Sequence, residues 1–167
     1  MGFMNIHETI KFLDKQIPNP SLGLPEEMFL FISRITPIVN VDLLIKDENG
    51  RVLLSWRDDQ YAGTGWHIPG GIVRFKENLE KRLLKVAETE IGAVVESDPV
   101  PIAVNQLIHD QRNTRGHFIS ILYKCFLSNK YIPKNTGLSY KDPGYLMWHD
   151  SCPVNLIKIH EIYRKYI

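Results

Sequence analysis

Apolar and polar positions alternate along this chain with two different periods, and the changes of period outline its elements. Ile6, Ile10, Phe12 and Leu13 fall together on the stretch 5–16 with the spacing of a short amphipathic helix. Pro18, Pro20 and Gly23 interrupt it. Pro25-Glu26-Glu27 then opens a second helix, with proline in the first turn and acids at the positive end of the dipole, and it runs to about Ile35. Residues 38–46 are an apolar β run, Asn49-Gly50 is a hairpin turn, and Val52–Trp56 is the returning strand. A polar loop over 58–65 leads to Trp66-His67-Ile68-Pro69-Gly70-Gly71, which reads as a glycine turn before a short apolar strand and a helix that ends at Gly92. Strands are predicted at about 102–109, beyond Pro99 and Pro101, and at 117–127, with a turn over 110–116. A loop over 128–144, a closing edge at Met147-Trp148 and a terminal helix over 153–166 complete a mixed α+β domain.

The helix before Gly92 carries the candidate chemistry. Stepping about 100° per residue from Leu79 places Leu83, Val86, Ala87 and Ile91 on one arc, with Lys81, Lys85 and Glu88 opposite. Glu90 falls inside the apolar arc, about 20° from Leu79 by the same stepping. A carboxylate there either reaches past the core to water or holds a divalent cation facing the glycine turn, because an isolated buried charge costs several kcal/mol. A hard cation such as Mg2+ needs few protein oxygens and completes its shell with water and substrate phosphate. Gly70-Gly71 is either a tight turn needing positive φ or a point where backbone approaches a phosphate or metal. Glu77 suits a helix-start acid.

Composition narrows the function classes. A net charge of +1 gives no general attraction to nucleic acid or to an anionic membrane, so any anion site is local. No apolar run approaches the roughly 20 residues of a membrane span, and no secretory start is present, so a cytoplasmic protein is expected. Cys125 and Cys152 lack paired metal spacing; Cys125 reads as a small buried hydrophobe.

Gly71, Glu77, Glu90 and Gly92 sit at the spacing of the Nudix box, G-x5-E-x7-R-E-U-x-E-E-x-G-U, where U is aliphatic. Lys85 stands for the arginine, Val86 and Thr89 replace two metal-binding acids, and Ala93 replaces the last aliphatic residue. With its flanks, Thr36–Ile45, Leu53–Arg57, Trp66–Val73 and Ala87–Gly92, the chain resembles the GDP-mannose mannosyl hydrolase branch of the Nudix hydrolases from about Glu26 to Asp150. The resemblance implies an α/β/α sandwich around a mixed sheet, with residues 1–24 as an N-terminal helical extension and 25–167 as the Nudix domain. It implies hydrolysis of a nucleoside diphosphate sugar at the sugar carbon, with Mg2+ (or Mn2+) bound. One cation can neutralise the diphosphate leaving group. It also implies a homodimer, to which the extension could contribute.

Carried over by position, the resemblance implies Asp42, Arg57 and Arg74 for substrate, Arg74 standing in for a family arginine replaced here by Ile72. It implies Gly70, Glu90 and Asp142 for the metal, and Asp142 and His109 for proton transfer. The loop Ser139–Trp148 lacks the histidine that serves the branch as general base. Asp142 could take that place, or it could be a turn acid before Pro143-Gly144. Two other readings stay open: a non-catalytic nucleotide-sugar binding module, and a conventional pyrophosphohydrolase cleaving at phosphorus.

Overall fold

The computed structural model describes residues 5–167; the first four residues of the predicted extension lie outside the described residues. Asn5 caps α1 (Ile6–Gln16) through a reciprocal capping box with Glu8. No residue of α1 is buried, so its apolar stripe faces outward. A short 3-10 turn at Pro20–Leu22 precedes α2 (Glu26–Ile35), which begins and ends where the sequence predicts.

The sheet grows from β1 (Ile38–Lys46). It pairs in parallel with β7 (His117–Phe126) along its whole length, Ile38 opposite Phe118 and Lys46 opposite Phe126. β2 (Val52–Asp59) leaves β1 in the predicted hairpin, but only Lys46 and Val52 stay in register. β2 then diverges and pairs with β3 (Gly63–His67) and β8 (Leu146–His149). In the opening between them, β4 (Gly70–Ile72) joins β1, Asp42 opposite Gly70. This divergence makes the cleft described below. β5 (Glu96–Ser97) and β6 (Ala103–Ile108) close the far side on β7. The polar segment 58–65, expected as a loop, is mostly the β2–β3 hairpin, in which Asp58 pairs with Thr64 and Asp59 with Gly63.

Helical layers lie on both faces of β1, as its period-2 alternation requires. Val41, Leu43 and Ile45 pack with Leu83, Val86 and Ile91 of the α3 (Leu79–Val86) side. Leu44 packs on the other side with Trp56, Trp66 and Tyr163. The fold is thus α+β, with a mixed sheet between helical layers. The terminal segment corrects one expectation. It is a run of 3-10 turns over Lys158–Tyr166 and not a helix from 153. The Trp66 N–H donates to the Asn155 carbonyl and the Ile157 N–H to the Trp66 carbonyl, so residues 155–157 are extended along β3 and cannot start a helix. No helix among the described residues is long and apolar enough to cross a membrane.

The terminal turns are locked to the sheet through Asp42. Tyr163 Oη donates to Asp42 Oδ2 at 2.6 Å, Ser120 Oγ donates to the same oxygen, and Asn40 Nδ2 donates to Oδ1 at 2.7 Å. Tyr163→Phe removes one donor from a fully buried carboxyl, so it should destabilise the fold by about 1–3 kcal/mol. Urea unfolding at neutral pH measures this; wild-type stability in the variant would show that the terminal turns are not anchored there.

Candidate functional site

Two concave surfaces meet at Arg57 and His67, which line both. One, of about 200 Å³, is lined by Asp42, Gly70, His109, Arg112, Arg115 and His160. The other, of about 410 Å³, is bounded by Glu90 and Thr89 and by Pro143-Gly144 of the preceding loop. Of the residues singled out in the sequence, Asp42, Arg57, Gly70, His109 and Glu90 thus come together. Arg74 and Asp142 do not line either surface.

The glycine turn is not a turn. Neither Gly70 nor Gly71 has a positive φ, and Gly70 is paired with Asp42 in the sheet. Glycine is required there by crowding. A Cβ on Gly70 would lie 2.1 Å from Asp42 Oδ1, and one on Gly71 2.6 Å from Val86 Cγ2. Backbone at Gly70 therefore reaches the cleft without a side chain in front of it.

Glu90 reaches the same point from the other side. α3 widens into a π turn over Ala87–Ile91, closed by the Gly92 N–H on the Ala87 carbonyl at 3.0 Å, with Gly92 left-handed at φ 68°. Such turns re-aim a side chain within a helix. Here Glu90 becomes half-buried, with its carboxyl within the influence of the Gly70 N–H. Burial pushes its carboxyl up to about 7, against the pull of Arg57 and of the Gly70 N–H and with a further push from Asp42. The other box positions supply no ligand. Val86 is in the core, and Thr89 Oγ1 donates to the Lys85 carbonyl at 2.8 Å. Glu77 accepts from Arg82 Nε at 2.7 Å and from the Arg74 N–H at 3.0 Å, the helix-start role its position suggests.

Asp42 forms part of the floor, its carboxyl raised by burial despite donors from Ser120, Tyr163 and Asn40. Arg57 Nε lies 3.4 Å from Asp59 Oδ2. His109 stands at the end of β6, and burial, then Arg112 and Lys158, hold its imidazole below the usual range. The exposed Arg74 turns away from the cleft toward Gly23, because the short strand β4 ends before it and the chain turns outward. Asp142 closes its own turn by accepting the Ser139 N–H at 2.7 Å. Its neighbours Pro143 and Gly144, but not its carboxylate, line the Glu90 surface.

Four residues of the cleft had no signal in the sequence pattern. His67 Nδ1 lies 2.8 Å from the Ser55 carbonyl, which can only accept, so Nδ1 holds the proton and Nε2 presents a lone pair. That Nε2 is buried without a partner among the described residues. Burial, then Arg57, depresses His67 to about 3, so it is neutral at physiological pH. His160, delivered by the terminal 3-10 turns, accepts the Ile68 N–H on Nδ1 at 3.1 Å and is also held neutral by burial. Arg112 and Arg115 come from the β6–β7 turn, whose sequence reads only as polar. Among the described residues no cluster of three or more His, Cys, Asp or Glu side chains surrounds one point. A metal here would take side-chain donors from Glu90 and one imidazole, with backbone oxygen and water completing its shell.

Comparison with known proteins agrees with this architecture. The NUDIX domain model matches residues 36–162. The low-salt glycan biosynthesis protein Agl8 of Haloferax volcanii is 28% identical over 125 residues, covering 72% of this chain and 79% of that protein. Two solved structures share the fold with a TM-score of 0.60 each. A MutT Nudix hydrolase from Burkholderia pseudomallei is 22% identical, covering 79% of this chain and 98% of that one. A possible asymmetric diadenosine tetraphosphate hydrolase from Jonesia denitrificans is 20% identical, covering 79% and 92%.

The Glu90 carboxyl makes a signed prediction for the metal-free protein. It titrates near 7 in the fold against an ordinary 4.5, so between these values the folded state keeps a proton that the unfolded chain has lost. Its contribution to stability therefore falls as pH rises through that window. Glu90→Gln abolishes that loss. Measured by urea unfolding in chelator, the stability of the variant relative to wild type should rise from pH 4.5 to 7 and level off beyond. A difference independent of pH would show that Glu90 is not buried as described.

Proposed function

The chain belongs to the Nudix family, and from that premise we propose that it is a hydrolase of a nucleoside diphosphate sugar that works with one divalent cation, Mg2+ or Mn2+. The observation that carries this reading is that Glu90 is the one carboxylate of the box helix that reaches the cleft. Val86 and Thr89 cannot ligate, and Glu77 is engaged with Arg82. The residues present fit a single cation: the Glu90 carboxylate, the Gly70 backbone beside it, and the unpartnered lone pair of His67. A bound cation would neutralise charge on a diphosphate leaving group.

The protein's own groups supply the rest. Arg57 binds phosphate oxygens, a task suited to its planar fork. The buried wall of Asp42, His67 and His160 excludes bulk water from one side of the cleft. In the overall reaction water adds its hydroxyl to the anomeric carbon, the carbon–oxygen bond to the diphosphate breaks, and the water proton is released. His109 lies within the cleft lining, and a neighbouring diphosphate would raise its depressed affinity for a proton, fitting it to protonate the leaving group. Asp142, bound into its own turn, takes no part unless its loop rearranges. Residues 25–167 make up the catalytic domain, with α1 outside it. The likeness to a glycan biosynthesis protein favours a sugar nucleotide as substrate class. The scarcity of metal carboxylates favours attack at carbon over a conventional pyrophosphohydrolase.

Incubation with GDP-mannose and Mg2+, with products resolved by chromatography, tests this directly. GDP and free mannose are expected; GMP and mannose 1-phosphate would move the chemistry to phosphorus. Glu90→Gln should lower kcat by about 100-fold or more while leaving the fold intact. No turnover of any nucleotide sugar would overturn the assignment and favour a binding module.

A further inference from the structure

We propose that Arg112 and Arg115 of the β6–β7 turn form, with Arg57, an anion clamp that takes the diphosphate of the substrate. The clamp rests on the nucleoside diphosphate reading above. All three guanidinium groups line one cavity of about 200 Å³. The carboxylate whose charge acts on all three is Asp59. Asp59 is already committed: its Oδ1 accepts the Tyr61 and Ala62 N–H groups at 2.7 Å, and its Oδ2 lies 3.4 Å from Arg57. Three permanent cations thus share Asp59, while the other acids near Arg57, Asp42 and Glu90, are pushed toward neutrality by burial, and the surplus positive charge faces the cavity.

Arg115 is held in place as a surface arginine is not. Its backbone is left-handed at φ 51°, a conformation rare outside glycine and asparagine. The Ser33 hydroxyl of α2 accepts its N–H at 2.9 Å. Its guanidinium carbon lies 4.4 Å from the Tyr61 ring centre and 5.4 Å from that of Phe29, so aromatic faces guide it. Its Nε is buried and has no hydrogen-bond partner among the described residues. A buried, unpaired guanidinium N–H is costly, and an anion in the cavity would satisfy it. The turn is shaped for the same end. A Cβ on Gly116 would meet the Arg112 carbonyl at 2.7 Å, so only glycine lets the hairpin fold this tightly. Burial and the neighbouring Arg115 loosen the proton of Arg112, partly countered by Asp59; a bound polyanion would relieve that repulsion.

Ser33 and Phe29 lie before residue 36, where the family match begins. The clamp is therefore braced by α2, a helix outside the matched span. It reads phosphate charge by paired planar forks and is indifferent to the base, so its class of ligand is a diphosphate.

Isothermal titration with inorganic pyrophosphate, GDP and GMP tests the clamp on the whole chain. Arg112→Gln and Arg115→Gln should each weaken pyrophosphate and GDP by about tenfold or more, the loss expected of one charge-assisted bond. GMP, with one phosphate, should lose less. Ser33→Ala should weaken pyrophosphate in the same direction by a smaller factor, and Lys130→Gln, exposed and outside the cleft lining, should change nothing. If Arg115→Gln does not fold, Arg112→Gln carries the test alone. Wild-type pyrophosphate affinity in the arginine variants would overturn the clamp, even where nucleotide sugars are hydrolysed. Loss of pyrophosphate binding in the variants together with no hydrolysis of any nucleotide sugar would keep the clamp and overturn the enzymatic reading. A wild-type protein that binds neither pyrophosphate nor GDP would overturn the clamp outright.

Discussion

The site depends on one buried carboxyl. Asp42 lies in the middle of β1, and its oxygens are claimed by Asn40 of the same strand, Ser120 of β7 and Tyr163 of the terminal turns. Gly70 of β4 packs so closely against it that no side chain fits. Four separate elements are thereby fixed relative to one another. An unpaired carboxyl in that position would cost several kcal/mol, so the terminal segment is held down by the need to satisfy it. That segment in turn carries His160 into the cleft, while Asp42 keeps Gly70 as bare backbone near Glu90. What a substrate meets follows from how one acid is neutralised by hydrogen bonds.

Much of this was legible in the sequence, and the unread part has definite physical causes. Strand and helix periods placed β1, the hairpin, β6, β7 and α3, and the charge within an apolar arc marked Glu90. The means of its exposure was hidden: uniform stepping along a helix has no place for the π turn that re-aims it. The two glycines read either as a positive-φ turn or as a close approach to phosphate or metal; neither has a positive φ, and the crowding that demands glycine comes from Asp42 and Val86, residues distant in sequence. For Arg74 to stand in for the arginine replaced by Ile72, β4 must continue so that both lie on one face; it ends at Ile72. Arg112 and Arg115 lie in a polar turn with no periodicity, and only the tertiary pairing of β6 with β7 brings them beside Arg57. His67 and His160 could not be told from ordinary core histidines without their partners.

The electrostatics of the cleft follow from unequal burial. The two acids nearest its centre, Asp42 and Glu90, are both pushed toward their neutral forms by burial. The arginines keep their charge at any relevant pH, since guanidinium does not give up its proton in proteins. The cleft therefore presents more positive charge than its residue list implies, while the whole chain stays near neutral at +1. A diphosphate is attracted locally, and an extended polyanion finds no continuous basic surface. A cation at the proposed site would make ionised Glu90 favourable, because it would supply the partner that burial denies.

The absent histidine of the loop before β8 changes meaning in this setting. Three imidazoles line the cleft, each from a different element: His67 from β3, His109 from the end of β6 and His160 from the terminal turns. They are not equivalent. His67 and His160 are buried and strongly depressed, so they remain neutral and serve as lone-pair or N–H partners. Their weak basicity makes them poor acceptors of a proton from water. His109 is less buried and stands near Arg112, and an anion bound beside it would raise its affinity for a proton. In the proposed reaction, proton transfer would thus be coupled to substrate charge at the β6 end of the cleft, with Pro143 and Gly144 of the Ser139–Trp148 loop on its rim. The histidine missing from that loop still leaves three imidazoles in the cleft, and in the proposed reaction the one that serves the leaving group is His109 at the end of β6.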